Sequence, residues 1–164
     1  MQYPSLAHPL GTDDFGRDLL TRILRGGQVS LLVAVMTVSI STVVSLILGS
    51  MAGYFGGVVD SVIMRVADIF ISVPPLVLSM CLSAALGSGL FNTALAISVG
   101  SIWPMTRQLR ASILTIKGSE YLEASKAFGA RDWYVIFHHV IPHALAPMIV
   151  QIAMQLGNLS LIHI

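Results

Sequence analysis

The chain has 164 residues, 55% of them hydrophobic and only 10% charged, with a formal net charge of +1. Ordinary globular chains carry roughly 25% charged residues. This composition, with a mean hydropathy of +0.82, points to a membrane protein and excludes a disordered tail or a basic nucleic-acid-binding domain.

Residues 1–28 lack the basic-then-apolar order of a signal peptide. Thr12-Asp13-Asp14-Phe15-Gly16-Arg17-Asp18 leads into an amphipathic stretch over residues 19–24, with Asp13 or Thr12 as the expected helix cap. Residues 29–52 carry no charge, enough to cross a hydrocarbon core of roughly 30 Å as a tilted helix. Thr37, Ser41, Ser45, Gly49 and Gly53 recur at every fourth position of this span. Five small residues on one face let another helix approach closely. A dimer contact is one use of such a face.

A second span is expected over residues 61–86. Arg65 and Asp68 stand three apart near its inner end, on one face, where they can pair. Pro74-Pro75 should kink or loosen it. A flexible gate and a static kink with a structural ion pair are both open. A third, short span is expected over residues 90–106. The polar stretch 107–140 holds Arg107, Arg110, Lys117, Lys126 and Arg131, which makes it the expected cytoplasmic loop. Counting back places 53–60 inside, and 87–89 and 1–28 outside. Within the loop, Lys117-Gly118-Ser119 should break the preceding helix, and Ser119 should cap a short new one. Gly129 should end that helix in a left-handed conformation. Residues 132–140 read as a second short helix, and Pro142 as the start of a fourth span near 141–160. Gln151, Gln155 and Asn158 in that span are costly against lipid and should face protein or a water-filled path. Spans of this length imply helices, because backbone groups inside a bilayer must pair internally. The fold class is therefore all-α, a polytopic helical membrane protein. A short helix with exposed apolar residues and acids suits docking to a soluble partner.

Several chemistries are excluded. The single cysteine, Cys81, gives no intrachain disulfide and no Cys-x-x-Cys site. His139 and His143 have the i, i+4 spacing but lack the Glu of a zinc-protease helix, so His138, His139 and His143 read as interfacial residues, with no metal site. No serine carries a recognisable base-bearing motif for intramembrane hydrolysis. Lys117 follows Ile116 and Lys126 follows Ser125, so no phosphate loop exists and any ATP site belongs to another subunit.

Glu123-Ala124-Ser125, Gly129 and Ile141-Pro142 together resemble the EAA loop of binding-protein-dependent ABC importer permeases. Ser125 stands for the usual second Ala, His139 for the first Ile and Ile141 for Leu. His8-Pro9-Leu10-Gly11-Thr12-Asp13-Asp14-Phe15-Gly16-Arg17-Asp18, Ala52-Gly53-Tyr54-Phe55-Gly56-Gly57 and His143-Ala144-Leu145-Ala146-Pro147 are similar to the dipeptide, oligopeptide and nickel permease subfamily, on its second-permease branch. The likeness covers residues 4 to about 158. Against that family the chain is expected to be incomplete at both ends, lacking a first and a last span, with residues 159–164 departing from the pattern. The resemblance implies a partial type I ABC importer transmembrane domain over 29–164, preceded by an extracytoplasmic segment, in a bacterial or archaeal cytoplasmic membrane. It implies a non-enzymatic permease subunit moving di- or oligopeptides, with nickel or another small solute as the alternative. It implies no cofactor of its own, and as partners a second permease, two cytoplasmic ATPases, an extracytoplasmic solute-binding protein and membrane lipid, with no nucleic acid. Glu123, Ala124, Ser125, Gly129 and Pro142 would couple to the ATPase. A non-transport membrane scaffold is the further alternative.

Overall fold

The computed structural model describes residues 3–5 and 8–162. The expected departure over residues 159–164 falls partly outside them. The described chain is helical: α1 (Leu19–Phe55), α2 (Gly57–Ile71), α3 (Pro75–Leu86), α4 (Leu90–Lys117), α5 (Glu120–Ala127), α6 (Asp132–Val135), a π-turn (Ile136–Val140) and α7 (Ile141–Ile162).

The stretch over residues 19–24 is no separate amphipathic helix. It is the first turns of α1, a helix of 37 residues. At 1.5 Å per residue α1 is about 55 Å long, well beyond the roughly 30 Å of a hydrocarbon core. Its cap is Asp18 rather than Asp13 or Thr12: the Asp18 carboxylate accepts from the Thr21 N–H at 2.9 Å. Asp13 instead organises the preceding loop, accepting from the Phe15 and Arg17 amides at 2.9 Å each. Its second oxygen takes the Arg17 Nε at 3.0 Å and Arg22.

At the far end of α1, Gly56 and Gly57 take φ of 69° and 54°, which turns the chain into α2. The second expected span is two helices. The residue before a proline avoids the α region, and a proline fits the first turn of a new helix. Accordingly α2 stops at Ile71, Pro75 opens α3, and the two helices meet at 89°.

The small-residue face of α1 packs on α4 of the same chain. Thr37 donates to the Ala94 carbonyl, Ser41 to Ser98 and Ser45 to Ile102, each pair 57 residues apart. A constant offset with both numbers rising means that α1 and α4 run parallel. The two glycines continue the seam: a Cβ on Gly49 would lie 2.9 Å from Leu109 Cβ, and one on Gly53 2.8 Å from Ile113 Cβ. The close approach of another helix expected for this face is thus made within the chain, by α4, which leaves it no room for a dimer contact.

Helix α4 ends at Lys117, at the break expected over Lys117-Gly118-Ser119, and so runs on from the apolar span expected over 90–106 through residues assigned to the polar loop. Two of the charges there are paired along the helix. Arg107 binds Asp68 and Arg110 binds Asp60, both acids on α2. The expected Arg65–Asp68 pair does not form, because Asp68 faces α4 and takes Arg107. Among the described residues, two helical runs are long and apolar enough to cross a membrane, α1 and residues 132–159, or three if α2 and α3 form one broken span. Helix α4 is not among them. It is the central helix, packed against α1, α2, α3 and α7. Two of its polar side chains are fully buried and bond to its own carbonyls, Ser98 to Ala94 and Thr106 to Ile102.

The last run is continuous from Asp132. It lies antiparallel to α1, since Tyr54 donates to Asp132 at 2.6 Å while Leu159 packs against Ala34 and Val38. Pro142 is thus the second residue of α7, near the expected start, but the helix there continues from the preceding turn. It sits just beyond the π-turn, where the Ile141 N–H reaches back five residues to the Ile136 carbonyl.

Candidate coupling surface

Helix α5 sits where the C-terminal ends of α1 and α4 meet the start of the last run. Leu122, 2% exposed, enters a core built from Tyr54, Ile113, Val135, Ile136 and Val140. That single leucine fixes which face of α5 is buried. Glu120, Glu123, Ala124 and Ala127, at i, i+3, i+4 and i+7, form the outward face, and all are exposed.

The entry to α5 is a backbone cap. The Ser119 carbonyl accepts from the Leu122 and Glu123 amides. Its hydroxyl does not cap the helix as expected, because it donates to the Ile116 carbonyl at 2.6 Å and ties the turn back to α4. At the exit, Gly129 has φ +83° and the Ala130 N–H reaches back to the Ser125 carbonyl. This is the reversal by which a helix ends in a left-handed residue. Phe128, just before that glycine, is 92% exposed. An acid-bearing face thus ends in a bare aromatic ring.

Of the five residues singled out by sequence, Glu123 and Ala124 share the outward face. Ser125 is half-buried, and Gly129 shapes the exit. Pro142 is exposed but belongs to α7, outside the α5 surface. Sequence reading missed how α5 is held from its other side. The Tyr121 ring stacks on His143 at 5.1 Å and meets His139 edge-on at 6.2 Å. Tyr134 stacks on His138 at 4.2 Å. The i, i+4 spacing of Tyr134 and His138, and of His139 and His143, was the available signal. The three histidines are thus ring partners of tyrosines around the π-turn. Among the described residues no group of three His, Cys, Asp or Glu side chains stands close enough to hold a metal ion.

A second polar feature lies part-way along the helices. Gln151, Gln155 and Asn158 of α7 face Pro75 of α3 and Gly100, Ser101 and Pro104 of α4 across an open cleft. These carboxamides therefore line a space between helices.

Residues 45–162 match the family described as the binding-protein-dependent transport system inner membrane component. The chain belongs to that family. The family's description as an inner membrane component agrees with the long apolar helices of this chain. It is 43% identical over 94% of its length to the Probable D,D-dipeptide transport system permease protein DdpC of Escherichia coli (strain K12), covering 52% of that protein. It is 37% identical over 96% of its length to the dipeptide transport system permease protein DppC of Alkalihalophilus pseudofirmus, covering 52%. To the glutathione transport system permease protein GsiD of Pectobacterium atrosepticum it is 35% identical over 94% of its length, covering 51%. The chain spans about half the length of these curated relatives.

Proposed function

We propose that this inner membrane component is a permease subunit of an ATP-driven importer of di- or oligopeptides, with α5 as the helix that docks into a cytoplasmic ATPase. The observation that carries this reading is the two-sided build of α5. Leu122 sets one side into the core shared by α1, α4 and the last run, while Glu120, Glu123, Ala124 and Phe128 are presented outward. Peptide as the cargo is supported by the names of the relatives, two of which are dipeptide systems. A second permease would complete the pathway, two ATPases would supply ATP hydrolysis, and an extracytoplasmic binding protein would deliver the peptide.

The mechanism follows from rigid connections. An ATPase groove that changes shape on ATP binding shifts α5 through Glu123 and Phe128. Leu122 and the Tyr121 ring pass that shift to the π-turn and to the helix continuous with α7. Such a movement drives alternating access only if the docked ATPase binds the two states with different free energies.

Glu123→Ala removes one charge-assisted contact, worth roughly 1.5–3 kcal/mol. Gly129→Val places a β-branched residue at φ +83° and re-aims the helix exit. In the full-length permease both substitutions should leave membrane insertion intact and lower ATPase association, peptide-stimulated ATP hydrolysis and uptake together. Ser88→Ala, in the α3–α4 turn, is the control. Association and uptake equal to that control would remove α5 from the coupling role.

A further inference from the structure

We infer that the seam between α4 and α7 is the peptide-contacting track of this subunit, with Ser101, Gln151, Gln155 and Asn158 recognising main-chain amide groups. The inference rests on the peptide-importer reading and adds the residues and the chemistry of recognition. The cleft at Gln155 and a smaller gap between α4 and α7, with room for little more than one water molecule, share Met105 and Gln151. The smaller space is lined further by Gln108 and Ser112. Together they form a line of uncharged polar side chains along one seam: Asn158, Gln155, Ser101, Gln151, Gln108 and Ser112.

Two observations make this a ligand surface rather than a packing accident. The Gln155 Oε1 is buried from water-sized contact yet has no hydrogen-bond partner among the described residues. An unpaired buried acceptor is costly unless something occupies its site. The cleft is also open on one side, and lipid would leave its carboxamides unsatisfied. A carboxamide offers one acceptor and two N–H donors. That set matches the C=O and N–H of a peptide bond and is indifferent to the charge of the peptide's side chains. The lining of both spaces carries carboxamides, hydroxyls and thioethers, with no carboxylate or imidazole. That donor set suits a peptide main chain better than a nickel ion, which imidazole ligands suit. The position fits the mechanism as well: Gln151 stands eleven residues beyond the end of the π-turn, about 16 Å along one continuous helix. Movement of α5 therefore reaches the track along α7, past the proline at Pro147 inside that helix.

The test uses the complete importer, full-length permease with its partner subunits, in vesicles with Cys81→Ser as the background. Ser101→Cys and Gln155→Cys are introduced singly, with Val43→Cys on an exposed apolar face of α1 as the lipid-facing control. A charged methanethiosulfonate reagent should label Ser101→Cys and Gln155→Cys from water, and Val43→Cys little. Saturating alanyl-alanine with the binding protein should slow labelling at both track positions about tenfold, and labelling should block uptake. If a cysteine variant fails to assemble, Gln151→Leu gives the second measurement. It should raise the peptide KM about tenfold, the loss of roughly one hydrogen bond, while Gln151→Asn restores most of it. Absence of aqueous labelling would mean that a helix of another segment or subunit fills the cleft. That result, labelling that peptide does not slow, or an unchanged KM overturns the track. Absence of peptide uptake by the unmodified complex would instead overturn the importer reading itself.

Discussion

Asp13 shows how one carboxylate can hold a loop that has little core of its own. One oxygen accepts from two backbone amides, Phe15 and Arg17, and the other from the Arg17 and Arg22 side chains. These bonds favour the ionised form, the Arg17 amide most, and hold the carboxyl at about 2, below its ordinary 3.8. A depressed value stabilises the fold wherever the carboxylate is ionised in both states. The stabilisation is therefore complete above 3.8 and lost as pH falls toward 2. Amide hydrogen exchange at Phe15 and Arg17, corrected for the intrinsic rate at each pH, should show protection that is level above about pH 4 and gone by about pH 2. Asp13→Ala should abolish that protection at every pH. Protection that persists in Asp13→Ala would mean that the turn holds itself.

Among the elements, the α1–α4 seam has the least room. Added to Gly53, a methyl group would meet Ile113 Cβ and Cγ2 at 2.8 Å, with the Arg110 carbonyl at 3.3 Å. Ile113 is fully buried and its Cβ moves only with the α4 backbone, so Gly53→Ala must push two helices apart. Overpacking of this kind costs about 1–3 kcal/mol. A methyl group added to Gly26, on the same helix, would meet nothing within 4 Å. Gly26→Ala should therefore gain up to about 1 kcal/mol of helix propensity. Thermal unfolding in one detergent should move down for Gly53→Ala and not down for Gly26→Ala; equal shifts would deny the close approach. The seam was legible in the sequence because small residues at every fourth position have few other uses on an apolar helix. The break at Pro74-Pro75 was legible because proline acts locally. The end of α4 was legible at Lys117-Gly118-Ser119, but the packing of residues 107–117 on α2 was not, because Arg107 and Arg110 resemble loop charges until Asp60 and Asp68 are seen opposite them. Nor was the joining of the short helix expected over 132–140 to the span that follows it, since a π-turn depends on one shifted hydrogen bond that leaves no residue signature. The outward face of α5 was readable from its acids, whereas its anchor, Tyr121 between His139 and His143, depends on tertiary placement.

For the whole molecule, the packing directions limit the ways this chain can be threaded through a membrane. Parallel neighbours need an intervening return, and α2 with α3 is the segment available between α1 and α4. The last run then goes back, antiparallel to α1, so α5 and the α1–α2 turn share one side while the α3–α4 turn and the start of α1 share the other. Packing alone does not choose which side is the cytoplasm. The proposed orientation puts α5 inside, from the basic residues at Arg107, Arg110, Lys117 and Arg131. It works against Arg17, Arg22 and Arg25 at the opposite end, two of which are engaged by Asp13. In the full-length permease with Cys81→Ser, a membrane-impermeant thiol reagent applied to intact cells should label Ser88→Cys and spare Ser119→Cys, and permeabilised cells should expose both. The reverse pattern would invert the topology and take α5 away from any cytoplasmic ATPase. Labelling of both positions in intact cells would contradict the threading itself, because it would put the two ends of α4 on one side of the membrane.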